Sequence, residues 1–171
     1  MYWKSTRCSL GLAAGLVFAL SFATTAQARQ ARDGSVADAR IKSQLAELEY
    51  KYEVDEDNDF KLVFNVGDSK RSQIVYVRSP IETYGTHAVR EIWSPGYVSP
   101  KDEFPAAVAN QLLEASNEAK LGSWVKQGRN AIFVVKIAAD ASNEQLDDAI
   151  DLAVSLADEM EAELTPGKDD L

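Results

Sequence analysis

The sequence has 171 residues, with 27 acidic and 18 basic side chains, a formal net charge of −9 and one cysteine, Cys8. An acidic surface repels phosphate backbones and anionic lipid headgroups, so the composition argues against binding to nucleic acid and against electrostatic binding to membranes. Because the single cysteine stands near the start, we expect neither a disulfide nor a catalytic thiol in the rest of the chain.

The first 28 residues have the three-part pattern of an export signal. Lys4 and Arg7 come first, an apolar run follows at 10–20, and small residues lead to Ala26-Gln27-Ala28. The apolar run is too short for a transmembrane helix, which needs about 20 such residues. The final tripeptide fits a signal-peptidase site. We therefore expect cleavage after Ala28, which would release a periplasmic protein without a membrane anchor.

The rest of the chain predicts a single domain at 36–165, after a frayed segment at 29–35 and before an acidic tail at 166–171. Helical spacing of apolar residues predicts helices at 36–49, from an N-cap at Asp102 through Ala115, and from Ser142 to Leu164. Ser142, with Gln145 three residues on, predicts a capping box at the start of the last helix. Alternating spacing predicts strands at 50–54 and 60–66, and β-branched and aromatic composition predicts one at 72–78. Further strands are expected at 88–93, 122–126 and 131–137. The segments 79–87 and 94–100 contain proline and glycine and are expected to be connections. The resulting order, α-β-β-β-β-α-β-β-α, predicts an α+β fold with an antiparallel sheet and segregated helices.

The acidic string DEDND lies between the first two predicted strands. Asp55, Asp57 and Asp59 have the spacing that begins a helix–loop–helix calcium site. The sixth position of that motif should be glycine and is Phe60, and the twelfth should be glutamate and is Val66. We therefore interpret the string as the tip of a hairpin and predict no metal site or cofactor. Weak calcium binding by the three aspartates stays an alternative.

No pattern of catalytic residues stands out. His87 is the single histidine, and the sequence has neither a G-x-S-x-G elbow nor an H-E-x-x-H motif. We expect this histidine to face solvent or to cap a strand. Four carboxylates lie on the polar side of the last helix and are expected to form a solvated face: Asp147, Asp148, Asp151 and Asp158. The sequence therefore predicts no enzyme, and a hydrolase that uses aspartate or glutamate is a weaker alternative.

Four aromatic residues are candidates for binding a partner protein: Tyr84, Trp93, Tyr97 and Trp124. Such residues commonly pack in the core of a small domain. If they are exposed together, they would form an apolar patch of the kind that binds other proteins.

The chain at 45–164 resembles the YbjN family of bacterial proteins, often described as sensory transduction regulators. The resemblance rests on YKYEVDEDNDFKLVF, RSQIVYVRS, REIWS, LGSWVKQGRNAIFVVKIAAD and DLAVSLADEMEAEL. It implies a fold like that of type III secretion chaperones, and it carries no catalytic residues. Those chaperones are small, acidic and often dimeric, and they bind extended segments of other proteins. They act in the cytoplasm, whereas this chain has the pattern of an exported protein.

These observations together predict a non-enzymatic, periplasmic module that binds a protein partner in a chaperone-like or regulatory role. A homodimer is one arrangement that would suit it. The alternative is a sensing domain that responds to calcium or a small ligand through Asp55, Asp57 and Asp59.

Overall fold

The structure, a computed structural model, describes residues 36–67 and 71–167. The predicted signal peptide at 1–28, the segment at 29–35 and most of the acidic tail lie outside the described residues. The described elements, in chain order, are α1 (Ala39–Glu47), β1 (Glu53–Val54), β2 (Phe60–Val66), β3 (Arg71–Val77), β4 (Glu82–Tyr84), β5 (His87–Val98), α2 (Ala106–Glu118), β6 (Ser123–Gln127), β7 (Asn130–Ala138) and α3 (Asn143–Leu164). Within the described part of the chain, no helix is long and apolar enough to cross a membrane.

The strands form one antiparallel sheet of seven strands, in the order β1-β2-β3-β5-β7-β6, with β4 paired to β5. The main core lies between this sheet and the helices α1 and α3. A second, smaller core joins α2 and the end of α3 to the sheet through Tyr97, Leu112, Ala131 and Met160. Ala131 alternates along β7 with Phe133 and Val135 of the main core, so all three helices pack on the same face of the sheet. The predicted α+β class is confirmed.

Two local predictions are confirmed at the residues that motivated them. The acidic string is the tip of the β1–β2 hairpin, which closes with Val54 opposite Phe60. The last helix begins with the predicted capping box, in which Ser142 accepts a hydrogen bond from the backbone of Gln145 and the Gln145 side chain accepts one from the backbone of Ser142.

The first predicted strand is shorter than expected. We predicted a strand at 50–54, but β1 contains only Glu53 and Val54. Tyr50 and Tyr52 precede it and pack edge-on against Phe64 and Phe60, with ring centres 5.5 and 5.1 Å apart. The two tyrosines therefore pack against the core although their backbone does not pair in the sheet.

The connection predicted at 79–87 contains a strand. Glu82–Tyr84 pairs with the start of β5, with Tyr84 opposite His87 and Gly85 at a φ of 58° in the turn. The predicted order of elements is therefore wrong by one strand. The reason is that Gly85 supplies a two-residue hairpin turn, which has the same composition as an irregular loop.

The break predicted at 94–100 is also wrong, since β5 continues to Val98. The strand passes Pro95 and Gly96 by a register shift against β7 between Pro95 and Tyr97. A bulge tolerates proline and glycine because the ladder is interrupted there. β3 pairs with β5 only at Tyr76 and Val77, so no hydrogen bond from Pro95 to β3 is needed.

The second helix begins later than predicted. Pro105 occupies the N-cap of α2 and makes no side-chain cap hydrogen bond, so the predicted N-cap at Asp102 is wrong. A proline disfavours helical backbone at the residue before it, here Phe104, and a helix starting at Asp102 would pass through that residue. Ser99 instead donates a hydrogen bond of 2.9 Å to the carbonyl of Glu103, which holds the segment in its own turn.

The first helix is fixed to the sheet by a buried charge pair. α1 begins at Ala39 rather than at residue 36, and its N-cap Asp38 accepts hydrogen bonds from two backbone N–H groups of the first turn. The other carboxylate oxygen of Asp38 accepts from Arg90 at 2.6 Å. Arg90 is only 1% exposed and also donates to the carbonyls of Arg78 and Ser79. Arg90 therefore joins α1 to β5 and to the end of β3.

Candidate functional site

One face of the sheet is not covered by any helix in the described part of the chain. Phe133 and Val135 of β7 point toward the helices, so Ile132 and Val134 point the other way. We call this second surface the open face. Its central side chains come from five strands: Val63 of β2, Ile74 and Tyr76 of β3, Glu91, Trp93 and Pro95 of β5, Ile132 and Val134 of β7, and Val125 of β6. Arg78, the residue that follows β3, lies beside them.

An apolar band crosses the open face. The strand register places Val63 opposite Ile74, and it places Ile132 between Pro95 and Val125. Ile132 is only 7% exposed although no helix lies over it, because cross-strand neighbours on both sides approach it closely. Val63 and Val125, at the two ends of the band, are exposed. The open face therefore presents a continuous apolar strip in place of the polar side chains usual on a solvated sheet.

A cavity of about 470 Å³ opens on this band between β3, β5 and β7. Its apolar lining consists of Ile74, Tyr76, Trp93, Pro95 and Ile132. Asp55, Asp57 and Arg78 stand at one end of it, and the amides of Gln127 and Asn130 stand at the other. An apolar lining with a few polar groups at its margins is typical of a binding site.

Trp93 is held in a fixed orientation at the centre of this cavity. Its indole Nε1 donates a hydrogen bond of 2.9 Å to Glu91, and the guanidinium of Arg78 lies 4.3 Å from the ring centre. Arg78 is itself fixed, because its Nε lies 2.8 Å from a carboxylate oxygen of Asp59, which is 1% exposed. An aromatic side chain that is ordered before binding loses little entropy when a partner docks.

The three aspartates of the acidic loop have different roles. Asp55 accepts hydrogen bonds of 2.9 Å from the backbone N–H groups of Asp57 and Asp59, which shapes the turn around Asn58. Asp59 is buried and accepts a hydrogen bond of 2.7 Å from the backbone of Ser79. Asp57 is exposed at the margin of the cavity. The loop is thus organised by its own backbone, and no described group of three acidic, histidine or cysteine side chains is placed to hold a metal ion.

Burial raises the pKa of Asp59 above its usual range. The neighbouring charges of Asp55 and Asp57 act in the same direction, whereas the Ser79 N–H and the charge of Arg78 oppose it. Arg78 therefore stabilises the ionised form of a carboxylate that its surroundings disfavour. The ion pair couples the acidic loop to the aromatic centre of the open face.

The four candidate aromatic residues do not lie together. Trp93 lines the open face, and Tyr84 is 84% exposed on β4, opposite the exposed His87. Tyr97 is buried in the smaller core, and Trp124 packs on the helix side of the sheet. Among the four, only Trp93 belongs to the cavity on the open face.

The carboxylates of the last helix are not simply a solvated face. Asp147 accepts a hydrogen bond of 2.5 Å from the Tyr50 hydroxyl, and Asp158 accepts one of 2.9 Å from Arg71. Desolvation, together with the charges of Asp147 and Asp148, raises the pKa of Asp151. These contacts hold β3 and the segment before β1 against α3, which is a structural role.

Several residues of the site could not be recognised from the sequence. Ile74 and Ile132 are ordinary strand residues that nothing in the sequence distinguishes, and Pro95 was expected to lie in a connection. The ion pair between Arg78 and Asp59 joins the residue after β3 to the residue before β2. Strand geometry places Ile74 and Tyr76 on one face of β3. Which of the two faces the helices would cover depends on the packing of the whole domain.

No protein-family model matches the sequence, and no curated protein matches it significantly. The function is therefore inferred from the site itself.

Proposed function

We propose that this protein is a non-enzymatic binding module that holds an extended segment of another protein on the open face of its sheet. The observation that carries this proposal is the apolar band around the fixed Trp93, on a face that no described helix covers. A solvent-open apolar concavity with a few polar groups at its margins is a common binding site. Ordered aromatic side chains at the centre of such surfaces contribute much of the binding energy.

The shape and charge of the cavity favour an extended segment with a basic residue at one end. The cavity crosses three strands and is open to solvent, so a chain can pass over it. Asp55 and Asp57 at one margin would attract a lysine or arginine of that segment. Gln127 and Asn130 at the opposite margin can donate to and accept from its peptide groups.

The cellular setting belongs to the same proposal. The charged, apolar and small-residue pattern of positions 1–28 supports export to the periplasm, where the partner would be another exported protein. The resemblance to the YbjN family supports a chaperone-like or regulatory role. The arrangement of three helices on one face of an antiparallel sheet is compatible with the secretion-chaperone fold that this resemblance implies.

A calcium-responsive sensor is the second candidate, because Asp55 and Asp57 both line the cavity. The contacts of the loop weigh against it. Asp55 already accepts two backbone hydrogen bonds, and Asp59 is buried against Arg78. A calcium titration followed by calorimetry and thermal unfolding separates the two candidates, since a sensor requires heat of binding and a raised melting temperature at millimolar calcium.

The binding proposal is tested with an array of short immobilised peptides that vary in apolar and basic content. Ile74→Lys places a charge in the cavity without entering the core, because Ile74 lies on the open face. Ile81→Lys makes the same chemical change at an exposed isoleucine outside the site and is the matched control. We expect the wild type and the control to retain apolar peptides with a basic residue, and we expect Ile74→Lys to lose them.

Retention of the same peptides by all three proteins would show that the open face does not bind them. The proposal would be excluded if the wild type retains none of the peptides while its spectrum and melting temperature are those of a folded protein. Retention of acidic peptides in preference to basic ones would exclude the role assigned to Asp55 and Asp57.

A further inference from the structure

The helix side of the molecule carries a second groove, between α2 and α3, with a volume of about 440 Å³. Its floor is apolar and includes Trp124, Leu152, Leu156 and Met160. The residues that α3 contributes recur at helical spacing, as do those of α2, so the groove runs along both helices. It lies on the opposite side of the sheet from the open face.

The rim of this groove is strongly acidic. Glu114 and Glu118 line it from α2, and Glu159 and Glu163 line it from α3. Lys120 is the one basic side chain among its lining residues. Glu163 accepts a hydrogen bond of 2.6 Å from Gln111 across one end of the groove. Among the described residues, none of the four glutamates forms an ion pair.

The spacing of these glutamates makes the free groove electrostatically unfavourable. Each helix presents its two glutamates four residues apart, a separation at which like charges on a helix repel each other. A cationic group between the two rims would remove that repulsion on both helices. The apolar floor between the rims would at the same time bind apolar side chains.

We propose that this groove binds a basic amphipathic helix of a partner protein. In an extended strand, side chains alternate between two opposite directions, so a strand with apolar residues on the floor would point its basic residues away from the rims. A helix instead places basic residues on both flanks of an apolar stripe, where they meet the glutamates of α2 and α3. The inference does not depend on the function proposed for the open face.

The test uses the purified protein and a short peptide of leucine and lysine, patterned as an amphipathic helix. A peptide of leucine and glutamate with the same pattern is the negative probe. The rim variant is Glu118→Lys with Glu159→Lys, which reverses one charge on each helix. The matched control is Glu53→Lys with Glu82→Lys, which reverses two exposed charges on β1 and β4 and changes the net charge equally.

We expect the leucine–lysine peptide to bind the wild type and the control with similar affinity. The rim variant should bind it about tenfold more weakly, because two attractive contacts become repulsive. The affinity of the wild type should also fall with added salt. Peptide binding should shift the indole N–H signal of Trp124, which lies in the floor, and leave that of Trp93 unchanged.

Three results would overturn the proposal. The first is no binding of the peptide to the folded wild type. The second is an equal loss of affinity in the rim variant and in the control, which would mean attraction by net charge alone. The third is a dimer of the wild type, detected by light scattering without peptide, that the rim variant does not form. The groove would then be an interface between copies of this chain.

Discussion

The guanidinium carbon of Arg78 lies 4.3 Å from the centre of the Trp93 ring, while the Nε of the same arginine pairs with the buried carboxylate of Asp59 at 2.8 Å. One side chain therefore holds both the acidic loop and the aromatic centre of the open face. The contact with Trp93 also covers part of the apolar ring, which keeps the free site ordered in water. The proposed binding site thus depends on a charge pair that also stabilises the domain.

Replacement of Arg78 by alanine should be strongly destabilising. It would leave the carboxylate of Asp59 buried without its partner, and we expect a loss of about 3 kcal/mol in the free energy of unfolding. Asp59→Asn should cost less in the Arg78→Ala background than in the wild type, because the ion pair is already broken there and asparagine removes a buried charge that has no partner. Urea unfolding of the two single variants and the double variant measures this coupling. Additive effects would mean that the ion pair contributes nothing.

The charge of Asp38 should stabilise the fold at neutral pH and lose this effect in acid. Burial of this carboxyl raises its pKa, but hydrogen bonds from Arg90 and the helix backbone, with the charge of Arg90, outweigh burial and lower the pKa below 3.8. A lowered pKa in the folded state means that the stabilisation is complete above the unfolded-state pKa and is lost as pH falls through the folded-state value.

Asp38→Asn isolates that charge, since asparagine also caps helices well. We expect the variant to be less stable than the wild type by about 2 kcal/mol at pH 7. The difference should shrink as the pH falls below 3.8. Denaturant unfolding at several pH values measures it, and a difference that is constant down to strongly acidic pH would contradict the role assigned to the charge.

The contribution of Asp151 to stability should change with pH in the opposite direction to that of Asp38. Its pKa is raised by desolvation and by Asp147 and Asp148. A raised pKa means that the fold favours the protonated form, so stability is greatest below the unfolded-state pKa and falls as pH rises through the folded-state value. Asp151→Asn should therefore stabilise the protein at pH 7, by about 0.2–0.5 kcal/mol, the usual repulsion between like charges four residues apart on a helix.

The gain in stability from Asp151→Asn should disappear in acid, where the aspartates are protonated. A loss of stability in Asp151→Asn at pH 7, measured by thermal unfolding, would contradict the assignment.

Gly96 should not tolerate a side chain. A Cβ atom at this position would lie 2.5 Å from the ring of Trp124 and 3.0 Å from the carbonyl oxygen of Ala157, so either the indole or α3 must move. We expect Gly96→Ala to cost about 1–3 kcal/mol, the usual cost of overpacking a core. Gly128 is exposed but cannot serve as the control position, because its φ of 59° would strain any alanine placed there. Thermal unfolding that is unchanged by Gly96→Ala would contradict the close packing of α3 on β5.

The residues that the sequence identified correctly are those whose partners are local. The apolar alternation of Phe60, Leu62 and Phe64 was sufficient to place one face of β2 in the core, because side-chain direction follows from strand geometry. The capping box at Ser142 was visible because both of its residues lie within one helical turn.

The features that could not be predicted from the sequence depend on pairing between distant segments. Pro95 and Gly96 suggested a break, but their pairing with β7 keeps them in a strand. Arg90 and Asp38 are 52 residues apart, and neither has a neighbour in the sequence that signals the pair. The open face itself could not be predicted, since alternation defines two faces of a strand without showing which one the helices cover.

The measurement that tests the central claim most directly is an NMR spectrum of the isoleucine methyl groups, recorded with and without the peptide retained most strongly on the array. Ile74 and Ile132 line the cavity on the open face, whereas Ile41 and Ile150 lie in the core beneath the helices. The account predicts large shifts for Ile74 and Ile132 and small ones for Ile41 and Ile150. Unchanged signals from Ile74 and Ile132 at saturating peptide would contradict it.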